Sequence, residues 1–527
     1  MGKASATGSF QLFIGVAVST IIMAIGTLIL AKLMLQAEYG LYTIATIPAI
    51  TINLFRDWGV NSAITKYVAS YRATNSKENI RNVIVAGSIF ECATGLALSF
   101  LSFILAGFIA STIFHRPEST FLISVVSISI FSGSLLTVAQ SCFIGFERMG
   151  LSSFTIICQA VVKTIIGPLL VLLGYGTLGA VLGYTLSFLA AGIIGMTVLY
   201  FGLLKSLPKS DKNKSTILDT LRAMLKFGVP FSVYSILGGI VTQFYSFVMV
   251  FFIVDTAMIG NYQLSLSFTV LLTFITTPIS TVLFPAFSKL NPQNERKLLK
   301  SIFASSVKYS TLLLVPATLG MMVLSKPIIA TLFQEKYPSA PFFLAVAVAG
   351  NLLVAIGNLS LSGLLAGLGE TKMLMKLSIP TLLISLPLAF VLVPTFGITG
   401  VILGPLLSAL PSLFLGLRWA WNHYEVKADL GSSARIIAAS TIATIITYFF
   451  LSLFSAFEWI RLVTGAIIFF TVYILSAPLV GAITQSDTKN LRDMFSGFVG
   501  ISRIFNTLLV LIEKVTTLHS AEEANSS

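Results

Sequence analysis

Long apolar stretches separated by short polar turns dominate this chain. None alternates apolar and polar residues with a period of two, the pattern of a transmembrane β-barrel. A stretch of about 20 apolar residues is long enough to cross a bilayer as a helix. The pattern predicts an all-α integral membrane protein with about fourteen transmembrane helices. The predicted spans are residues 10–34, 41–65, 83–108, 121–145, 153–174, 178–204, 229–253, 259–284, 309–333, 340–366, 374–393, 398–417, 434–454 and 460–483.

The composition agrees with this interpretation. Of 527 residues, 56% are apolar and 10% are charged, and the mean hydropathy is +0.93. Soluble domains carry about 25% charged residues, and a soluble fold of this length cannot bury so much apolar surface. These values exclude a soluble globular enzyme. The net charge of +13 is placed in the turns between spans, so it indicates membrane topology rather than a nucleic-acid partner.

The distribution of lysine and arginine orients the spans. With the N-terminus in the cytoplasm, nearly all cations fall in inner turns, as the positive-inside rule requires. An even number of spans returns the C-terminus to the same side. The sequence therefore predicts a multi-pass protein of the cell membrane with both termini cytoplasmic. The few cations in predicted outer turns are Lys32, Arg116, Lys326, Lys336 and Arg461.

Four short motifs recur about 220 residues apart and predict an internal repeat. Six spans per half keep the two halves in one orientation, so the repeat is parallel, and two similar lobes around a cleft suit alternating access. The paired motifs begin at Ala37 and Ala257, Thr112 and Thr331, Glu147 and Glu370, and Gly176 and Gly397. The predicted domains are an N-terminal six-helix lobe (1–204), a basic cytoplasmic linker (205–228), a second six-helix lobe (229–421), two additional transmembrane helices (422–485) and a cytoplasmic amphipathic tail (486–527).

Several ionisable residues lie within predicted spans, where each costs at least about 2.5–3.5 kcal/mol and so marks a function by default. One interpretation is a cationic pocket of Arg56 and Lys163 that holds an anionic head group, with Asp57 and Lys66 as further substrate-binding candidates. A second interpretation pairs Arg56 internally with Asp57 or Glu91 for packing. Asp57 and Glu91 are also candidates for ion coupling.

No catalytic motif accompanies these charges. The sequence contains no GxxxxGK, HExxH or GxSxG motif in a soluble segment, and its three cysteines and three histidines are dispersed. We therefore predict no enzymatic activity, no catalytic residue, no cofactor and no metal site. A gradient or consumption of product would then drive any transport.

Four segments of the chain are similar to one known family. Residues 31–42, 57–69, 225–230 and 281–288 resemble the first outer turn, the second span, the start of the seventh span and the end of the eighth span of polysaccharide exporters and oligosaccharide flippases. This family belongs to the multidrug/oligosaccharidyl-lipid/polysaccharide superfamily. The resemblance implies a MATE-like fold of two six-helix lobes plus two C-terminal helices.

The resemblance also implies a function. Such flippases move a polyprenyl- or dolichyl-diphosphate-linked oligosaccharide from the inner to the outer leaflet, and cations in their cavity grip the diphosphate. Arg56 and Lys163 would be those cations here. The implied partners are the lipid-linked oligosaccharide, membrane lipid and glycan-assembly enzymes, around a monomeric chain. The alternatives are a cation-coupled multidrug exporter and a non-transporting membrane scaffold of a glycan-assembly complex.

Overall fold

The fold was analysed in a computed structural model that describes residues 2–208, 214–292, 294–484, 487–488 and 492. Within these residues the chain is helical and contains no strand, as the hydrophobic pattern predicts. The first eight helices are α1 (Gly2–Leu33), α2 (Gln36–Asn53), α3 (Val60–Ala73), α4 (Lys77–Phe108), α5 (Thr120–Gly145), α6 (Met149–Leu170), α7 (Gly176–Gly202) and α8 (Lys214–Phe252). The amphipathic helix predicted in the tail after residue 500 lies outside the described residues.

Nine further helices follow in the described part of the chain. They are α9 (Thr256–Ser288), α10 (Arg296–Val323), α11 (Ser325–Phe333), α12 (Ala340–Ala349), α13 (Asn358–Gly367), α14 (Thr371–Phe396), α15 (Ile398–Tyr424), α16 (Leu430–Leu453) and α17 (Glu458–Leu479). Packing divides the chain into two compact units. The first unit holds Met1–Ser267 and Thr381–Ser408, and the second holds Phe268–Pro380 and Ala409–Ser527. The domain boundaries expected from the repeat stay a prediction.

Every predicted span overlaps a helix of the structure. Among the described residues, ten helical stretches are long and apolar enough to cross a membrane, and one of them, Met149–Ser206, includes both α6 and α7. A bent pair, Ala340–Ile356 and Asn358–Gly367, raises the number to eleven. The protein is therefore a multi-pass membrane protein, whereas the count of fourteen crossings stays a prediction.

Three spans predicted as continuous are broken, so the sequence interpretation was wrong there. The second span is interrupted between α2 and α3, where Trp58 (φ 47°) and Gly59 (φ 76°) adopt left-handed backbone. Gly59 has no room for a side chain, because a Cβ would lie 2.2 Å from the carbonyl oxygen of Gly228 on α8. The ninth span divides into α10 and α11 at Leu324. The tenth predicted span bends by 60° between α12 and α13. Gly357, directly before α13, has a φ of 96°.

Left-handed turn residues recur at the spacing of the predicted repeat. A backbone with positive φ is uncommon for any residue other than glycine, so matched positions are informative. Three pairs of residues with positive φ lie beside three of the four repeated motifs. The members of these pairs are 219, 222 and 221 residues apart. The pairs are His115 and Gln334, Glu147 and Gly369, and Gly176 and Gly397. The two sequence halves thus share turn geometry as well as motifs.

Two helices of the first unit cross with their backbones in contact. A Cβ on Gly40 of α2 would lie 1.9 Å from the carbonyl oxygen of Thr256, and a Cβ on Gly260 of α9 would lie 2.1 Å from that of Gln36. Beside the crossing, the Asn261 amide donates a hydrogen bond to the Gln36 side chain over 3.1 Å. Gly40 and Gly260 occupy matching positions in the first repeated motif, so the repeat places two glycines at one close crossing.

The second unit anchors the segment after α17 through one aspartate. The ammonium of Lys308 donates to Asp487 Oδ2 over 2.6 Å, and the backbone and hydroxyl of Thr484 donate to the same oxygen over 2.8 Å and 2.6 Å. The hydroxyl of Tyr309 donates to Oδ1 over 3.2 Å. Burial alone raises the pKa of Asp487, but these hydrogen bonds outweigh burial and hold the pKa below its ordinary value.

Asp487→Asn is expected to lower the unfolding free energy at neutral pH by about 1–3 kcal/mol, since Lys308 loses its anionic partner. A carboxyl with a depressed folded-state pKa stabilises the protein above its unfolded-state pKa, and that stability is lost as pH falls through the folded-state pKa. The difference in Tm between the two proteins should therefore shrink in acid. Glu425→Gln is the control, because its contact with Lys300 is half exposed. A pH-independent difference in Tm would contradict this assignment.

Candidate functional site

The break between α2 and α3 brings two ionisable residues into the first unit. Asp57 Oδ1 accepts a hydrogen bond from the backbone N–H of Asn61 over 2.8 Å, which satisfies a free donor in the first turn of α3. Arg56 lies in the same break, directly before Asp57, and only 6% of its surface is exposed. The two side chains therefore have different surroundings although they are neighbours in sequence.

Two helices hold the guanidinium of Arg56. Its Nη2 donates to Thr137 Oγ1 over 3.1 Å, and its Nη1 donates to the carbonyl oxygen of Ile130 over 3.4 Å, both on α5. Its Nε lies 3.7 Å from Oε2 of Glu91 on α4. Gly133 on α5 leaves space for the guanidinium, since a Cβ there would lie 3.3 Å from Nη1. Arg56 is thus enclosed by α4 and α5.

Glu91 is fully buried and faces Arg56. Its Oε1 accepts a hydrogen bond from the Asn61 side chain over 3.1 Å. Within the described residues, Glu91 Oε2 and Arg56 Nε have no hydrogen-bond partner, because 3.7 Å is an ion-pair distance but too long for a hydrogen bond. This geometry corresponds to the second sequence interpretation, an internal pair, with two polar atoms left unsatisfied.

Lys163 has different surroundings. It is half-buried on α6, and its Nζ lies 5.4 Å from the ring centroid of Tyr184 on α7. No carboxylate lies within ion-pair distance of it in the part of the chain that the structure describes. A lysine at this depth without a counter-ion is costly and is available to an anionic ligand.

Three aromatic rings, here called the aromatic row, lie beside this lysine. They are Tyr42 of α2 and Tyr184 and Phe188 of α7. The centroids of Tyr42 and Tyr184 are 6.5 Å apart, and those of Tyr184 and Phe188 are 5.2 Å apart. Phe188 lies against Gly133, which the Arg56 guanidinium also approaches. Arg56 therefore lies near Phe188 at one end of the aromatic row, and Lys163 lies beside Tyr184, the middle ring.

Lys66 lies apart from this cluster. It is exposed on α3, and its Nζ is 3.7 Å from the ring centroid of Phe227 and 5.3 Å from that of Tyr67. No contact among the described residues joins it to Arg56 or Lys163. The structure thus groups Arg56, Asp57 and Glu91, places Lys163 beside the middle ring of the aromatic row, and leaves Lys66 outside.

The sequence alone did not identify the uncharged residues of the site. Asn61, Thr137, Tyr184 and Gly133 carry no charge and are common in membrane helices, so nothing in their immediate sequence distinguished them. No group of three His, Cys, Asp or Glu residues suited to a metal ion occurs among the residues described.

Known proteins with related sequences were compared with this chain. A probable low-salt glycan biosynthesis flippase of Haloferax volcanii is 23% identical to this chain. The match covers 50% of this chain and 56% of the length of that protein. The lipopolysaccharide biosynthesis protein WzxC of Escherichia coli is 23% identical over 77% of this chain and 78% of its own length. The lipid II flippase MurJ of Bacillus subtilis is 20% identical over 74% of this chain and 76% of its own length.

Solved structures show the same fold. Lipid II flippase MurJ in an inward closed conformation superimposes with a TM-score of 0.72 at 17% identity, covering 89% of this chain and 98% of its own. An inward-facing MATE transporter superimposes with a TM-score of 0.61 at 17% identity, covering 77% of this chain and 94% of its own. The sequence model of the family described as polysaccharide biosynthesis protein matches residues 5–291, more than half of the chain. This protein therefore belongs to the polysaccharide biosynthesis protein family and has the fold of MurJ and the MATE transporters.

Proposed function

We propose that this protein is a flippase that moves a polyprenyl- or dolichyl-diphosphate-linked oligosaccharide from the inner to the outer leaflet of the cell membrane by alternating access. The observation that carries the proposal is Lys163, a membrane-depth cation without a carboxylate partner among the described residues, beside the aromatic row. The family match and the flippase names of two relatives support the same substrate class.

The site chemistry suits a sugar phosphate. A glycan cannot cross hydrocarbon unaided, because its hydroxyls would lose their hydrogen bonds to water. Lys163 supplies a compact positive charge for a phosphate. The aromatic row supplies flat apolar surface for the carbon faces of sugar rings. Both features lie in one unit, so a head group held at Lys163 would lie against these rings.

Arg56 takes a second role in this proposal. Its planar guanidinium suits two phosphate oxygens at once, but Glu91 neutralises it in the described conformation. Binding of a proton or cation at Glu91 would remove that counter-charge and make Arg56 available to the diphosphate. Glu91 is thus the proposed ion-coupling residue, and Asp57 positions Asn61 against it. Lys66 would meet the head group only on its way into the site.

The rest of the proposal concerns topology and partners. Both termini lie in the cytoplasm, as the positive-inside distribution predicts. The chain acts as a monomer without catalysing a chemical reaction. Glycan-assembly enzymes supply the lipid-linked oligosaccharide on the inner side and consume it on the outer side, which gives transport its direction.

Lys163→Gln is expected to lower the translocation rate at least tenfold, because removing one charge-assisted phosphate contact costs about 1.5–3 kcal/mol. The assay measures how fast a fluorescent polyprenyl-diphosphate-linked oligosaccharide in proteoliposomes becomes accessible to an external sugar-binding lectin. Lys205→Gln is the matched control, because Lys205 lies after α7, where its Nζ is 6.0 Å from the ring centroid of Phe201. The Lys205→Gln protein is expected to transport at the wild-type rate.

Three results would contradict the proposal at different levels. Equal rates with the wild-type protein and with protein-free vesicles would remove the flippase function and favour a scaffold. A wild-type rate for Lys163→Gln would remove the role of Lys163 alone. Translocation of cationic dyes without translocation of the glycolipid would identify a multidrug exporter instead.

A further inference from the structure

The second unit contains a cavity of about 950 Å³ where three helices end. One wall is a single face of α11 and the turn after it, which includes Lys326, Thr331 and Gln334. The opposite wall comes from the first turns of α12 and α17. Lys326 and Gln334 are eight residues apart, so at a rise of 1.5 Å per residue the cavity extends for roughly 12 Å along α11.

The matching turn of the first sequence half packs against the end of α8. There Phe114 packs against Phe247 with ring centroids 5.3 Å apart. Arg116, only 6% exposed, donates to the carbonyl oxygens of Ile253 and Val254 over 2.6 Å and 2.8 Å at the end of α8. These contacts hold the turn against the end of α8.

In the second half the corresponding turn lines the cavity. Phe333 packs on Tyr337, with centroids 5.4 Å apart, but Gln334 and Glu335 are exposed and line the cavity. His115 and Gln334 both have a φ of 54° and are both exposed. The two turns differ at the next residue, which is the buried Arg116 in the first half and the exposed Glu335 in the second.

The lining combines a free cation with hydrogen-bond acceptors. Lys326 lines the cavity and has no ion pair within the described residues. Glu335 is likewise unpaired there. Glu458 binds Arg461 through Oε1 over 2.7 Å, and its Oε2 has no hydrogen-bond partner in the described part of the chain. A phosphate would satisfy the lysine, and hydroxyl donors would satisfy the carboxylates.

Three aromatic side chains of the lining are exposed. Phe342, Phe457 and Trp459 are 57%, 77% and 58% exposed. Phenylalanine and tryptophan at the ends of membrane helices lie at the boundary between lipid tails and head groups. The ligand must therefore be amphiphilic, with an apolar part that contacts these rings.

We propose that this cavity binds the head group of a membrane lipid that carries a phosphate and hydroxyl groups. Lys326 holds the phosphate, Gln334 and Glu335 bind the hydroxyls, and the aromatic rings contact the first tail atoms. A glycerophospholipid and a lipid-linked sugar both have this chemistry. The site is separate from Arg56 and Lys163, and the proposal does not depend on the proposed function.

The test uses the full chain with Trp459 as its single tryptophan, made by replacing Trp58, Trp419 and Trp421 with Phe. The protein is reconstituted in phosphatidylcholine vesicles containing brominated phosphatidylglycerol, or brominated phosphatidylcholine at equal mole fraction, and quenching of Trp459 is measured. Phosphatidylglycerol is expected to associate about fivefold more strongly, the ratio that one lysine at a membrane surface provides. Lys326→Gln should abolish this preference, whereas Lys336→Gln, in the same turn but outside the lining, should retain it.

Equal quenching by the two lipids, or a preference that survives Lys326→Gln, would overturn the proposal. Native mass spectrometry of the wild-type chain gives a second readout if the single-tryptophan protein does not fold: retained phosphatidylglycerol that is lost in Lys326→Gln supports the site, and equal retention overturns it. Dolichyl phosphomannose distinguishes the sources, since displacement of brominated phosphatidylglycerol assigns the site to lipid-linked sugars as well. These are binding measurements, so failure here leaves the flippase proposal to its own assay.

Discussion

Glu91→Ala is expected to lower the unfolding free energy by about 3–5 kcal/mol, the usual cost of leaving one member of a buried ion pair alone. Arg56 is 6% exposed and its Nε faces Glu91 across 3.7 Å. The hydrogen bonds to Thr137 and Ile130 remain after the substitution, but they do not neutralise the charge. The measurement is the Tm of the purified protein in detergent. The fraction that stays folded after heating is monitored by fluorescence-detected size-exclusion chromatography.

A second variant separates packing from charge. Arg56→Met combined with Glu91→Leu should recover most of the lost stability, because apolar residues of similar volume replace a buried pair at little cost. The exposed pair of Arg72 and Glu147, with side chains 45% and 59% exposed, gives the control: Glu147→Ala should change stability by about 1 kcal/mol or less. If Glu91→Ala behaves like Glu147→Ala, the buried pair is not stabilising the first unit.

The double variant also tests the role of Arg56 in transport. If the guanidinium grips the diphosphate, this protein should be stable yet translocate glycolipid at a reduced rate. If Arg56 only joins α4 and α5, stability and transport should recover together. Tm and translocation rate measured on the same preparation distinguish these outcomes.

Gly40→Ala should destabilise the first unit by about 3 kcal/mol or more, at the upper end of overpacking costs. The added methyl would lie 1.9 Å from the carbonyl oxygen of Thr256. This neighbour is backbone and cannot move aside by changing rotamer. Helices α2 and α9 must then separate, and the hydrogen bond between Asn261 and Gln36 is lost with the contact. Gly260→Ala, which meets the Gln36 carbonyl oxygen at 2.1 Å, should have a similar effect.

Gly238→Ala provides the matched control for this crossing. Gly238 lies within α8 of the same unit, and no neighbouring atom lies within 4 Å of the position that an added methyl group would take. Alanine there should stabilise the protein by up to about 1 kcal/mol through its higher helix propensity. Equal Tm values for Gly40→Ala and Gly238→Ala would show that the close crossing does not constrain the fold.

Sequence patterns predicted the helices well because lipid imposes one requirement, an apolar run long enough to cross. They did not predict the break at residues 54–59. That break depends on a contact between Gly59 and Gly228, which are far apart in sequence. The same limit applies to the interruptions at Leu324 and Gly357, since hydropathy averaged over a span does not register a change in helix direction.

For the candidate site, the sequence identified the charged residues but not their partners. Arg56 could pair with a ligand, with Asp57 or with Glu91, and only the folded arrangement of α4 and α5 selects Glu91. Lys163 was identified by its depth alone, and the aromatic row beside it depends on how α2 meets α7. Neutral residues such as Thr137 contribute through position, which composition does not encode.

The positions of the Arg56 partners along the chain have a consequence for biosynthesis. These partners, Glu91, Ile130 and Thr137, are translated 35 to 81 residues later. When the second hydrophobic segment leaves the ribosome, a cation with an insertion penalty of about 2.5–3.5 kcal/mol still lacks all three of these partners. We expect this segment to remain beside the translocon until α4 and α5 arrive, so that the first unit inserts as a group rather than one helix at a time.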